Sequence, residues 1–183
     1  LLLVIGFLSV NQMFSQKSFE GYQFISIKEG ISKRAVTCIT QDRYGYMWIG
    51  TYGAGLYKYD GINYTAFEYD WQKSGSIISN LIYNTYVDVN NTIWIATDQG
   101  ICFYNRELNK FENIDLKIGY LKKSKYGIGV KSIIQDDFGN LILGTYEHGA
   151  FKLNLKTHNV AFIKSDVSSN VKYQINCMAK NKK

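Results

Sequence analysis

The stretch QDRYGYMWIGTYGAGLYKYDG, Gln41 to Gly61, sets out a pattern that the chain uses again. DVNNTIWIATDQGICFYN, Asp88 to Asn105, follows the same order of acidic residue, turn, Trp-Ile-small-Thr, glycine and aromatic strand. QDDFGNLILGTYEHGAFKLN, Gln135 to Asn154, is a third and more divergent copy. Aligned on the acidic residue, Asp42, Asp88 and Asp136 stand 46 and then 48 residues apart, and Asn181 opens a fourth copy. That period lies within the ~40 to 50 residues of a propeller blade and exceeds that of most other repeat classes.

Each unit divides into four short strands. AVTCITQD, IYNTYVD, VKSIIQD and INCMAKN form the first strand of successive copies, followed by a turn with Gly45, the pair Asn90 and Asn91, or Gly139, where a positive φ is expected. The second strand, YMWIGT, TIWIAT or NLILGT, is apolar on both faces. Trp48, Trp94 and Ile142 point one way and Ile49, Ile95 and Leu143 the other, so this strand needs cover on both sides. Gly50, Ala96 and Gly144 are small where an adjacent sheet would approach closely. A short loop ends at Gly55, Gly100 or Gly149 and leads into the third strand, and the fourth centres on Phe67, Phe111 and Phe162.

The expected fold is all-β. It is a partial propeller over 19–183 with three complete four-stranded antiparallel blades at 35–69, 82–114 and 130–164. A spare outer strand near 22–28, with Phe24 standing where Phe67 stands, precedes them, and the start of a fourth blade follows at 173–183. Because known rings have about four to eight blades, the expectation is a segment of a larger propeller.

Composition agrees with this reading and narrows the function classes. Of 183 residues, 46% are hydrophobic and 15% aromatic, including 15 tyrosines, and there is no proline; this composition favours strands and supports a globular body. The net charge of +6 comes from lysines spread along the chain, with local density at Lys122, Lys123 and Lys125, and no basic stripe is interleaved with a nucleic-acid-binding motif. Nucleic acid is therefore not an expected partner. Cys38, Cys102 and Cys177 are an odd count without metal-ligand spacing, and read as small strand fillers. No cofactor or metal is expected.

LLLVIGFLSV at the start is an apolar run of ten that differs from everything after it. It is shorter than the ~20 residues of a membrane span and resembles the core of a secretory signal over 1–15, with cleavage after Ser15. The expectation is an exported protein, placed on the periplasmic side of the inner membrane in its parent.

The repeats resemble the two-component regulator propeller family, whose pattern is an inner strand ending in Asp, a DxxG turn, WIGT, a short gap and GLxxYD. The first copy carries it at Asp42, Gly45, Trp48, Ile49, Gly50, Thr51, Gly55, Leu56, Tyr59 and Asp60. The second keeps Asp88, Trp94, Ile95, Thr97, Gly100 and Tyr104, while the third keeps Asp136, Gly139, Gly144, Thr145 and Gly149 but has Ile142 for the tryptophan. The resemblance implies the extracytoplasmic sensor of a one-protein signalling system, with a histidine kinase downstream and in many cases a glycan fragment as the cue. The partners it implies are an oligosaccharide, the remaining blades and downstream signalling domains of the parent, and a second copy of that parent.

Two groups of residues need separate readings. The repeated aspartates end a strand before a turn, where a carboxylate bonds nearby backbone N–H groups; the repeated tryptophans lie on core strands. The loop between second and third strands varies instead: Tyr52 in the first copy, Asp98 and Gln99 in the second, Tyr146, Glu147 and His148 in the third. Variable stacking and hydrogen-bonding side chains on a fixed scaffold are the candidate ligand-binding set. The opposite face, with its repeated aspartate turns, is expected to be too uniform to recognise an asymmetric ligand. A structural or protein-binding propeller is the alternative. A propeller lyase would need converging acid-base groups, of which Glu147 and His148 are the only adjacent pair.

Overall fold

The computed structural model describes residues 34–116, 127–163 and 174–180. The signal-like run at 1–15 and the outer strand expected near 22–28 lie outside them, as do most of the long connection after Leu116 and part of 173–183. The described residues form twelve strands and no helix. They make three separate four-stranded antiparallel sheets, each a simple meander in sequence order. Sheet one holds β1 (Val36–Gln41), β2 (Met47–Thr51), β3 (Leu56–Tyr59) and β4 (Tyr64–Phe67). Sheet two holds β5 (Ile82–Val87), β6 (Ile93–Thr97), β7 (Gly100–Asn105) and β8 (Lys110–Ile114). Sheet three holds β9 (Val130–Gln135), β10 (Leu141–Thr145), β11 (Ala150–Leu153) and β12 (Val160–Ile163).

A meander buries little by itself, so the sheets stack, and the core lies between them. The alternation of β6 does this directly. Ile93 and Ile95 join Trp48, Leu56 and Ile82 in the layer between sheets one and two. Trp94 and Ala96 face the other way, into a layer with Val130, Leu141, Leu143 and Phe151 of sheet three. All five residues of β6 are buried, as a strand covered on both faces requires. The innermost strands are neighbours too: Thr40 Oγ1 of β1 lies 2.7 Å from Thr85 Oγ1 of β5.

The small residues of the second strands are where this stacking is tightest. A Cβ placed on Gly50 would stand 2.5 Å from Cys38 Sγ and 2.7 Å from a methyl of Ile82, which belongs to the next sheet. A Cβ on Gly144 would meet Ile175 at 2.6 Å. Residues 174–180 form no strand, yet the backbone N–H of Ile175 donates to the Thr145 carbonyl at 2.9 Å. Ile175 thus sits on sheet three as Ile82 sits on sheet one, where the inner strand of a further blade would begin. At the other end, Ile39 of β1 is 58% exposed while its counterparts Thr85 and Ile133 are both 4% exposed, because each of those is covered by the preceding sheet.

Candidate functional site

The repeated residues close the hairpins. Asp42 Oδ1 accepts from the backbone N–H groups of Tyr44 and Tyr46 at 2.9 and 3.0 Å. Asp88 and Asp136 do the same with Asn90 and Thr92, and with Phe138 and Asn140. The other carboxylate oxygen has a further role, which strand periodicity does not reveal. Asp88 Oδ2 accepts from Trp94 Nε1 at 2.9 Å, and in blade one Asp42 Oδ2 accepts from its own tryptophan. In the third copy Asn140 Nδ2 donates to Asp136 instead, at 2.9 Å to Oδ2. Gly45, Asn91 and Gly139 take positive φ values in these turns, of 88°, 64° and 82°. At the opposite strand ends, the hydroxyls of Thr51, Thr97 and Thr145 donate to the carbonyls of Gly55, Gly100 and Gly149 and accept an N–H from within the loop. These repeated residues hold the scaffold.

In a meander, the loops between second and third strands share one end of the sheets with the connections between sheets. Tyr52 and Tyr146 are about half exposed there, at 55% and 47%. Asp98, Tyr146, Glu147 and His148 line one cavity of about 270 Å³ together with Tyr83, Gly127 and Gly129. Asp98 and Gln99 line a larger neighbouring cleft of about 930 Å³ that contains Trp71, Ser79 and Asn80. Asp98 is held by Ser79 Oγ at 2.6 Å and by Gln99 Nε2 at 3.0 Å. Five of the six candidate residues therefore line adjoining cavities. Tyr52 lines neither, although it is close enough to raise the pKa of Tyr83.

Two residues of this end are not evident from the repeat alignment. Each inner strand has an irregularity at the same place, between Val36 and Cys38, between Ile82 and Asn84, and where Ser132 and Val130 pair with Gly144 and Thr145. The extra residues are Thr37, Tyr83 and Lys131. A bulge re-aims its side chain out of the ladder. Lys131 Nζ consequently stands 4.1 Å from the ring centroid of Tyr83 and 5.1 Å from that of Tyr146. Burial raises the pKa of the Tyr83 phenol, and the charges of Asp98, Tyr52 and Tyr146 raise it further. The usual signal for a binding residue, variation in a loop, is absent here because these residues lie within strands.

The arrangement offers aromatic faces, an ammonium, carboxylates and amide groups around shallow concave surfaces. Among the described residues no group of three His, Cys, Asp or Glu side chains is placed to hold a metal ion.

The family model for two component regulator propellers matches residues 30–53. Among solved structures, the extracellular domain assigned to the hybrid two component system BT3049 of B. thetaiotaomicron is 29% identical, with a TM-score of 0.65. That match covers 76% of this chain and 19% of that one, so the chain spans about a fifth of the domain it resembles. The extracellular domain assigned to the hybrid two component system BT4673 of the same organism matches at 18% identity and a TM-score of 0.45, covering 83% of this chain and 30% of that one. Comparison with curated proteins gives no match. A stretch of blade one is thus similar to the two component regulator propeller repeat, and the three sheets are similar to part of the extracellular domain assigned to a hybrid two component system.

Proposed function

We propose that this chain is part of the extracytoplasmic ligand-sensing propeller of a two-component signal transduction protein, and that its cue is an oligosaccharide. The observation that carries the reading is the pair of adjoining cavities at the loop end, lined by Asp98, Gln99, Tyr146, Glu147 and His148, with Tyr83 and Trp71 supplying aromatic surface. Sugars are bound by stacking on aromatic faces and by hydrogen bonds to side-chain amides and carboxylates, in open clefts of this kind. Similarity to an extracellular domain supports a location outside the cytoplasm, with export directed by the leading apolar run. The kinase and further blades belong to the parent protein in this reading, and the chain senses without catalysing.

Calorimetry of the intact extracytoplasmic protein against a panel of oligosaccharides tests the proposal, with Tyr52→Ala and Tyr146→Ala beside the wild type. Loss of about tenfold in affinity, ~1.4 kcal/mol, in either variant supports the loop site. A bound sugar whose affinity stays within about twofold in both variants places recognition elsewhere.

A further inference from the structure

The other end of the sheets carries the aspartate turns, and between blades one and two their uniformity breaks. Asn91 stands where the other copies have Gly45 and Gly139, and Arg106 stands where they have Gly61 and Leu155. Both line a cavity of about 330 Å³, together with Tyr44, Thr92, Phe103 and Tyr104 among others. Both also hold a buried N–H donor with no partner: Nδ2 of Asn91 and Nε of Arg106. Asn91 is 8% exposed, and its Oδ1 is already engaged by the backbone N–H of Arg43 at 2.8 Å, so the amide orientation is fixed and its NH₂ is the free side. A buried donor left unpaired is costly, and an acceptor brought against it would offset that cost.

The chemistry of that acceptor follows from the charges around it. Arg106 is paired with Asp42 at 2.6 Å, and Glu107 also lines the cavity, so no net positive charge is left to favour an anion. The Arg106 guanidinium lies 4.9 Å from the Tyr44 ring, and Phe103 and Tyr104 add aromatic surface. The volume is at the lower end of the roughly 300–1,000 Å³ range of small-molecule sites. We propose that this interblade cavity is a second binding site, for a neutral saccharide ring whose hydroxyl or carbonyl oxygens accept from Asn91 Nδ2 and Arg106 Nε. It lies at the opposite end of the sheets from the loop cavities and stands independently of them.

Saturation-transfer NMR on the intact extracytoplasmic protein tests the site, using a panel of neutral methyl hexosides with methyl glucuronide as the acidic control. Asn91→Gly removes the donor at a position where glycine already serves the other two turns. Asn91→Asp keeps an oxygen for the Arg43 N–H and replaces the donor with an acceptor. Thermal melts confirm that each variant is folded. A neutral hexoside that binds the wild type, loses about tenfold or more in both Asn91 variants, and is indifferent to Tyr146→Ala supports the site. The proposal is overturned if no neutral hexoside binds, if only the glucuronide does, or if binding survives Asn91→Asp unchanged. Because the loop-end variants and the Asn91 variants report on opposite ends, failure of one site does not imply failure of the other.

Discussion

Trp48 Nε1 donates to Asp42 Oδ2 at 2.9 Å, which joins the hairpin that follows the inner strand to the packing of the strand beside it. Trp48 is fully buried, and Asp42 also receives Arg106 from the next sheet, so one carboxylate couples a turn, a core side chain and an interblade contact. Truncating Trp48→Ala in the intact protein is expected to cost about 3 to 5 kcal/mol, as large aromatic deletions from a core do. Trp48→Phe keeps much of the volume and withdraws the donor from a buried carboxylate, for an expected loss of about 1 to 3 kcal/mol. Urea denaturation of both variants measures the difference.

Acid is expected to act through the same carboxylate. Burial alone would raise the pKa of Asp42, but hydrogen bonds from Trp48 and Arg106, with the guanidinium charge, hold it below the ordinary 3.8. A lowered folded pKa means stabilisation that is present above 3.8 and is lost as pH falls through the folded value. Asp136 is shifted in the same direction, with Asn140 and Lys152 as the donors that offset its burial. Thermal melts from pH 6 down to about pH 2 should show this loss in the wild type and a smaller acid dependence in Asp42→Asn.

The glycine contacts give a test of blade stacking. Gly50→Ala drives a Cβ into Cys38 and Ile82, and is expected to destabilise by about 1 to 3 kcal/mol through overpacking. Gly144→Ala should do the same against Ile175, and Ile175→Ala should relieve part of that penalty. A double-mutant cycle with no coupling between Gly144 and Ile175 would remove residue 175 from the face of sheet three.

Thiol reactivity offers a readout without substitution. Cys102 is fully buried, and burial pushes its pKa up to about 12, whereas Cys177 is exposed. In this chain iodoacetamide should label Cys177 first and reach Cys102 only on global unfolding, as peptide mapping would show.

Much of the architecture was legible because the repeat samples one environment three times. Period-two patterning in MWIGT and IWIAT identified a strand covered on both faces, and the small residues at Gly50 and Gly144 marked close approach. The Asp–Trp bond was not legible, because alternation predicts which face a side chain takes but not the partner its polar atom finds there. Asn140 illustrates the limit: it supplies the missing donor in the copy that lacks tryptophan, from a place two residues earlier. At the loop end, variation pointed to six residues of which five line adjoining cavities and Tyr52 does not, while Tyr83 and Lys131 were hidden inside strands whose register slips by one residue. At the other end, Asn91 was legible as a turn residue in place of glycine, but not as a neighbour of Arg106, with which it lines the interblade cavity.

The irregularity shared by the three inner strands separates two demands on the chain. Residues on either side of it are bound into ladders, so their identities answer to the fold. Thr37, Tyr83 and Lys131 occupy one geometric vertex repeated around the stack, and they differ there in size, charge and aromaticity. Each blade therefore presents an interchangeable address at which the protein's chemistry can be rewritten while the strand pairing beneath it stays the same.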